Sequence, residues 1–230
     1  MKIELRGKTA VVTGSAGTMG RAVVSFLRED GLHVIGLDLK GDGVHCDISD
    51  PEAVRQAIRK IGPVDVLVNN AGILSSHKAE ATEPAEWRSV LAANLDGAFY
   101  LAREVMPGMK ARRWGRIVNT CSLAAKTGGL TAGTAYAVSK GALTSLTFSL
   151  ARELAPFGVT VNGISPAYVK TPMVTEQLTE AQRQALIAQI PVGRFCEPEE
   201  FAHVVRFLVS PLAGFITGEI VDLNGGLVMD

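Results

Sequence analysis

The chain has 230 residues, 47% of them hydrophobic and 20% charged, with 23 Lys and Arg balancing 23 Asp and Glu. That is the composition of a soluble globular protein long enough for one large core or two small ones, and its balance excludes the basic excess of a nucleic-acid or anionic-membrane surface. No apolar run approaches the ~20 residues of a membrane span, and the charged opening MKIELRGK lacks the apolar core of a signal peptide, so a cytoplasmic protein is expected.

In chain order, short β-branched apolar runs alternate with longer helical patterns. The expected strands are Thr9 to Thr13, His33 to Asp38, a weaker Gly43 to Cys46, Val64 to Val68, Arg116 to Thr120, Val159 to Ile164 and Glu219 to Leu223. Helical patterns cover about Met19 to Asp30, Pro51 to Lys60, Pro84 to Ala111, Thr134 to Pro156 and Pro198 to Val209. Most central strands are apolar throughout rather than alternating, as a sheet covered on both faces requires. Strand and helix in repeated succession predict an α/β fold, a doubly wound seven-stranded parallel sheet with helices on both faces. No linker, charge block or internal repeat divides it, so residues 1–230 are expected to form one domain. Cys46, Cys121 and Cys196 are widely spaced, with no C-x-x-C and only four His, and read as reduced core thiols rather than a metal site or disulfide frame.

The first strand runs into Thr13-Gly-Ser-Ala-Gly-Thr-Met-Gly20 and then a helix. Such a turn uses glycine where the backbone must approach a pyrophosphate, and the helix N-terminus offers free N–H groups and a positive dipole end. Gly14, Ser15, Gly17, Thr18, Met19 and Gly20 are therefore candidate cofactor contacts, against the alternative of a tight strand-to-helix turn without a ligand. Asp38, at the end of the second strand, completes the pattern of a dinucleotide-binding Rossmann fold. A carboxylate there accepts from the adenosine ribose hydroxyls and repels a 2′-phosphate, so NAD is preferred over NADP, with Lys40 and Arg21 close enough in sequence to keep dual use open.

Tyr136 and Lys140 lie four residues apart in a long helical stretch, so their side chains project from one helical face, one turn apart. A free Tyr titrates near pH ~10, and making one a proton acceptor near pH ~7 takes roughly 4 kcal/mol. One positive charge at ~4 Å and an effective dielectric of ~20 supplies about that much. The competing reading is a core Tyr beside a snorkelling Lys.

Together these residues resemble the short-chain dehydrogenase/reductase family over nearly the whole chain. The motifs that carry the resemblance are the Gly-rich turn, Asp47, Asn69-Asn-Ala-Gly72, Asn94, Ser122, Tyr136 with Lys140, Pro166 to Thr171, and the ending Phe215-Ile-Thr-Gly-Glu219 with Asn224-Gly-Gly226. The resemblance implies that Tyr136 exchanges a proton with the substrate oxygen and that Lys140 tunes it and holds the nicotinamide ribose. It implies that Ser122 hydrogen-bonds the same oxygen and that Asn94 anchors a water leading from Lys140 to solvent. Cys46 and Asp47 would sit against the adenine, Asn70, Ala71 and Gly72 beside the adenosine ribose, and Pro166, Val169 and Thr171 beneath the nicotinamide. Plain alternatives stand beside these: Ser122 as a turn cap, Asn69 and Asn70 as turn residues, and Asp47 as the cap of the helix starting near Pro51.

The chain departs from the family pattern in four places. Its middle glycine is Gly17, one residue before the usual position, now Thr18. Ala167 stands where a glycine follows Pro166. The loop between Ser122 and Tyr136 is slightly long, and the chain is short between Asp47 and Val64.

Residues 171–197 resemble a substrate lid, with Met173, Val174, Leu178, Leu186, Ile187 and Ile190 as its apolar positions and Arg183 and Arg194 as its arginines. Small and apolar residues on more than one side of the two long helices, with the family resemblance, imply a homotetramer, with a dimer as fallback. The expected activity is an NAD-dependent oxidation or reduction between a secondary alcohol and a ketone. The small-molecule substrate would be a sugar, polyol, cyclic diol or 3-oxoacyl thioester, the last less attractive because reductive biosynthesis draws on NADPH. Rival readings are a non-catalytic dinucleotide sensor, a nucleotide-sugar epimerase-like enzyme, and an S-adenosylmethionine methyltransferase.

Overall fold

A computed structural model of the chain describes residues 5–176 and 179–229. Seven strands form one parallel sheet in the order β3-β2-β1-β4-β5-β6-β7. They are β1 Thr9–Thr13, β2 His33–Asp38, β3 Val44–His45, β4 Val66–Asn69, β5 Gly115–Thr120, β6 Val159–Pro166 and β7 Ile220–Leu223. The first two match their expected bounds. The fourth starts later than expected because Asp65 stands at its edge, taking the Thr9 N–H on its carboxylate and giving its own N–H to the Thr9 carbonyl. The sixth runs two residues further than expected, since Ser165 and Pro166 still pair with Asp222 and Leu223.

The sheet is covered on both faces, which is why its strands read as continuous apolar runs. On one face Val11, Leu67, Ile117 and Val161 pack with Val54, Leu101, Met109 and Leu154. On the other, Ala10, Val12, Val66, Val68, Val118 and Ile164 pack with Val23, Leu27, Phe201 and Leu208. Neighbouring residues of β1 thus serve opposite cores, as the two-residue period of a strand demands.

The helices are α1 Thr18–Glu29, α2 Pro51–Ile61, α3 Pro84–Leu91, α4 Gly97–Arg112, α5 Ala124–Thr127, α6 Thr134–Leu154, α7 Pro172–Thr175, α8 Glu180–Ile187 and α9 Pro198–Val209. The cap of α2 is Asp50, whose carboxylate takes the Glu52 N–H at 2.9 Å with Pro51 in the first helical position. Asp47, the alternative cap, instead closes a small turn on Ser49. The long pattern from Pro84 is not one regular helix: a π turn, Ala92–Asp96, separates α3 from α4. The pattern from Thr134 ends earlier than expected, because Pro156 has no N–H to donate and the chain tightens into a 3-10 turn, Ala155–Phe157. Within residues 171–197, Val174 and Ile190 are buried against Phe195, with Leu186 and Ile187 packed on them. Leu178 lies outside the described residues, and so does the side chain of Met173. No helix among the described residues is long and apolar enough to cross a membrane.

Strand order reverses between β1 and β4, and the crevice at the carboxyl ends of those two strands is where such sheets take their ligands.

Candidate active site

The glycine turn leaves β1 at that crevice. Gly14 has φ of 63°, and a Cβ on it would come 2.9 Å from the Ala71 Cα, so a side chain is barred twice over. Gly20 faces the Gly14 carbonyl so closely that a Cβ would fall 2.1 Å from its oxygen. Gly17 precedes α1 in an extended conformation and no side chain caps the helix, so the first-turn N–H groups are left for an anion. The early glycine therefore does not spoil the turn, because Thr18 simply begins the helix.

Thr13 and Asn70 stitch the two central strands together above the core. The Thr13 hydroxyl accepts the N–H groups of Asn70 and Ala71 at 3.0 and 2.9 Å, while Asn70 Nδ2 donates to the carbonyls of Thr13 and Gly14. Below them, Asn69 Nδ2 donates to Asn119 Oδ1 and Asn119 Nδ2 to Thr147 Oγ1, each at 2.8 Å. Sequence reasoning gave Thr13, Asn119 and Thr147 no role. The readable signal was a run of polar residues inside otherwise apolar strands.

At the end of β2 the Asp38 carboxylate accepts the Ala16 N–H at 2.9 Å and the Lys40 N–H at 3.1 Å. It thereby ties the glycine turn to the second strand, with a lone pair on each oxygen still open. Cys46 is buried, and that burial, followed by the charges of Asp47 and Asp50, pushes its thiol up. Asp47 Oδ1 is occupied by Ser49 at 2.9 and 2.7 Å.

On α6 the Lys140 ammonium lies 5.7 Å from the centre of the Tyr136 ring and donates to the Thr120 carbonyl at 2.6 Å. The two side chains share a helical face, as their spacing predicts. Lys140 is only 2% exposed. Asn94 sits in the π turn, where Oδ1 accepts from Ile73 N–H at 2.8 Å and Nδ2 donates to the Ile73 carbonyl and Ser139 Oγ, both at 3.0 Å. A widened helical turn at a buried polar residue is a common mark of a functional position. A Cβ on Gly72 would lie 3.1 Å from Asn94 Oδ1 and 3.5 Å from Lys140 Nζ, so glycine is what lets these groups converge.

Ser122 lies two residues beyond β5, and its hydroxyl accepts the Ala124 N–H at 3.1 Å. The capping role and the chemical one are compatible: an oxygen that accepts from the backbone still has its own proton to donate. Ala167 costs no strain where glycine was anticipated, since Arg113 is the one non-glycine with positive φ among the described residues.

A cleft of ≈ 270 Å³ gathers Ser122, Tyr136 and Lys140 with Met19, Asn70 and Gly72. Pro166, Val169 and Thr171 line it from the segment after β6, and Leu74, Leu123, Leu130 and Val174 make much of the remainder apolar. Asp38, Cys46, Asp47 and the rest of the glycine turn lie outside this cleft, along the carboxyl ends of β1, β2 and β3. Lys140 is its one charged side chain among the described residues. Arg194, by contrast, forks onto Glu200 at 2.6 and 2.8 Å, and that pairing, with the Glu197 N–H, holds Glu200 down at about 2.

The family model described as enoyl-(acyl carrier protein) reductase matches residues 14–228. The chain belongs to the short-chain dehydrogenase/reductase family. Within it, the chain is 38% identical to 3-oxoacyl-acyl-carrier-protein reductase FabG of Vibrio cholerae, covering 99% of this chain and 100% of that one. Identity to the Escherichia coli FabG is 36%, with the same coverage. Among solved short-chain dehydrogenase/reductase structures, a protein from Beutenbergia cavernae assigned as an NAD(P)-dependent gluconate 5-dehydrogenase, with NADP bound at low occupancy, superposes with a TM-score of 0.92 at 34% identity. That match covers 99% of each chain. The ligand-free aldohexose dehydrogenase of Thermoplasma acidophilum gives 0.91 at 34% identity, over 99% of this chain and 96% of the other. As a short-chain dehydrogenase/reductase, the chain is an oxidoreductase that acts on CH–OH or keto groups with a nicotinamide cofactor.

Proposed function

We propose that this enzyme interconverts a neutral, largely apolar 3-oxo compound, of the 3-oxoacyl ester or thioester type, and its 3-hydroxy partner, with NAD(H) preferred. The observation that carries it is the joining of Ser122, Tyr136 and Lys140 in one cleft whose other walls are mainly apolar. The FabG relatives point to the same substrate class, which outweighs the expectation that a 3-oxoacyl substrate is less attractive than a sugar, polyol or cyclic diol.

The chain's groups fit a dinucleotide. The uncapped N-terminus of α1 after Gly14, Ser15 and Gly17, with Thr18, Met19 and Gly20 in its first turn, would hold the pyrophosphate. Asp38 would take the adenosine ribose, Cys46 and Asp47 the adenine side, and Asn70, Ala71 and Gly72 the strand end beside that ribose. Pro166, Val169 and Thr171 would hold the carboxamide side. When bound, the nicotinamide supplies or accepts the hydride.

The protein's part is to hold the oxygen and move its proton. Ser122, with its lone pair engaged by Ala124, donates to the substrate oxygen and fixes the carbonyl. Tyr136 gives that oxygen its proton during reduction and takes it back during oxidation. Lys140 keeps one N–H on Thr120 and has two more for the ribose and the proton path. Asn94, locked between Ile73 and Ser139, holds the π turn open beside Lys140 for a water that relays the proton to solvent.

A second reading, an aldose or polyol dehydrogenase, is favoured by Asp38 and by the two sugar dehydrogenase structures. Assaying 3-oxoacyl esters, aldoses and polyols with each cofactor at 340 nm decides between them. Faster turnover of aldoses than of 3-oxo esters would replace the first reading with the second.

The assembly we propose is a cytoplasmic, single-domain homotetramer. Exposed Phe99 on α4 and Val138 and Phe148 on α6 supply one apolar face, and Leu212 and Phe215 another.

A further inference from the structure

Residues 128–133 join α5 to α6 and contribute Leu130, Thr131 and Ala132 to the lining of the cleft. Gly128 and Gly129 both have positive φ, 72° and 82°, so the loop bends sharply and cannot extend either helix. What shapes it comes from the segment after β4. The carbonyls of Ser75 and His77 accept the N–H groups of Gly133 and Thr134 at 2.6 and 3.0 Å. Beside them the Lys78 ammonium donates to the carbonyls of Gly129 at 2.6 Å and Ala132 at 2.7 Å.

Two carbonyl oxygens three residues apart are thus turned toward one another's side of the loop, an arrangement their dipoles oppose unless a cation lies between them. The partners of Lys78 are loop carbonyls rather than a carboxylate, and a charged donor makes these bonds about twice as strong as neutral ones. The loop in turn brings Thr131 Oγ1 to 3.5 Å from the Tyr168 hydroxyl across the cleft.

We infer that Lys78 is a positioning residue for substrate: its ammonium sets the shape of the wall formed by Leu130, Thr131 and Ala132, and so decides which substrates fit beside Ser122 and Tyr136. The inference rests on the reading of this cleft as the oxidoreductase site. Lys78 touches neither the catalytic groups nor the glycine turn, so its effect falls on substrate binding and leaves cofactor binding alone.

The test compares Lys78→Met and Lys78→Arg in the full chain by steady-state kinetics and hydrogen exchange. The Met variant raises KM for the oxo substrate about tenfold while kcat changes less than about threefold, the pattern of lost ground-state binding. Cofactor affinity stays unchanged, and Arg, which carries several donors, restores most of the loss. Amides of residues 128–133 exchange about tenfold faster in the Met variant and near the original rate in the Arg variant. An unchanged KM in Lys78→Met, or equal losses in kcat and cofactor affinity, overturns the inference. Should the unmodified enzyme turn over no substrate, the proposed function fails instead, and unaltered exchange of residues 128–133 then disproves the role of Lys78 independently.

Discussion

Thr13 and Asn70 hold each other from both directions: the hydroxyl of Thr13 accepts the Asn70 N–H at 3.0 Å, and Asn70 Nδ2 returns a hydrogen bond to the Thr13 carbonyl at 3.0 Å. The pair closes the gap between β1 and β4 where the sheet reverses its winding, directly beside the glycine turn. Replacing Thr13 by Val keeps the shape but strips the acceptor from two N–H groups, those of Asn70 and Ala71. An unsatisfied buried donor costs about 1–3 kcal/mol, so Thr13→Val lowers Tm by several degrees and weakens cofactor binding. Thermal unfolding with and without cofactor checks both, and an unchanged Tm contradicts the stitch.

The division of labour proposed for Tyr136 and Ser122 predicts different losses. Tyr136→Phe removes the proton donor and lowers kcat about 10²–10⁴-fold while cofactor binding persists. Ser122→Ala removes one donor to the reacting oxygen and costs about 10²–10³-fold. It also takes the acceptor from Ala124 N–H, so α5 loosens. Stopped-flow turnover beside cofactor titration separates these effects, and wild-type rates in the Tyr136 variant would remove its assigned role.

Asp38 holds the glycine turn and, in the proposed reading, also takes the adenosine ribose, so its replacement tests both. Asp38→Asn keeps an acceptor for Ala16 N–H yet removes the charge that disfavours a 2′-phosphate, so the ratio of kcat/KM for NAD to that for NADP falls. Asp38→Ala loses the Ala16 bond as well and lowers stability in addition. A native preference for NADP would sink the ribose argument outright.

Much of this was readable in the chain itself, for identifiable reasons. Strands buried on both faces announce themselves as apolar runs, and Tyr136 with Lys140 share a face because local helix geometry fixes it. The π turn at Asn94 was hidden because helical periodicity continues on both sides of it, while the partners of Asn94, Ile73 and Ser139, lie far off in sequence. The plain alternative for Asp47, capping α2, falls instead to Asp50, which stands directly before Pro51 and takes the Glu52 N–H. The four residues of α5 are too few to show a period, and the grip of Lys78 on Gly129 depends on a fold that brings distant loops together.

The thiols should be inert in the folded protein. Burial pushes up Cys46 and Cys121, and burial followed by Glu200 drives Cys196 to about 11. At pH 8 a thiol of that kind is roughly 10⁻³ thiolate, against a fifth or so for a free cysteine near ~8.5. Iodoacetamide at pH 8 therefore modifies Cys196 in the native enzyme at least about a hundredfold more slowly than in the unfolded chain. Rapid labelling of Cys196 in the native state would show that its surroundings are more open than this.

Acid sensitivity at the start of α9 follows from Glu200. Its folded value, about 2, lies below the ordinary carboxylate value of 4.5, with hydrogen bonds from Arg194 as the leading cause and the Glu197 N–H next. A depressed carboxylate contributes stability that is fully present above the unfolded value and disappears as pH falls through the folded one. The window is therefore pH 4.5 down to about 2. Glu200→Gln should lower the urea midpoint at pH 6, and the gap between variant and parent should shrink through that window and vanish near its lower end. Because the pair is well exposed, solvent screening keeps the effect modest and added salt reduces it further. A gap that persists undiminished at the lower end would mean that Glu200 acts through packing at the start of α9 rather than through its charge on Arg194.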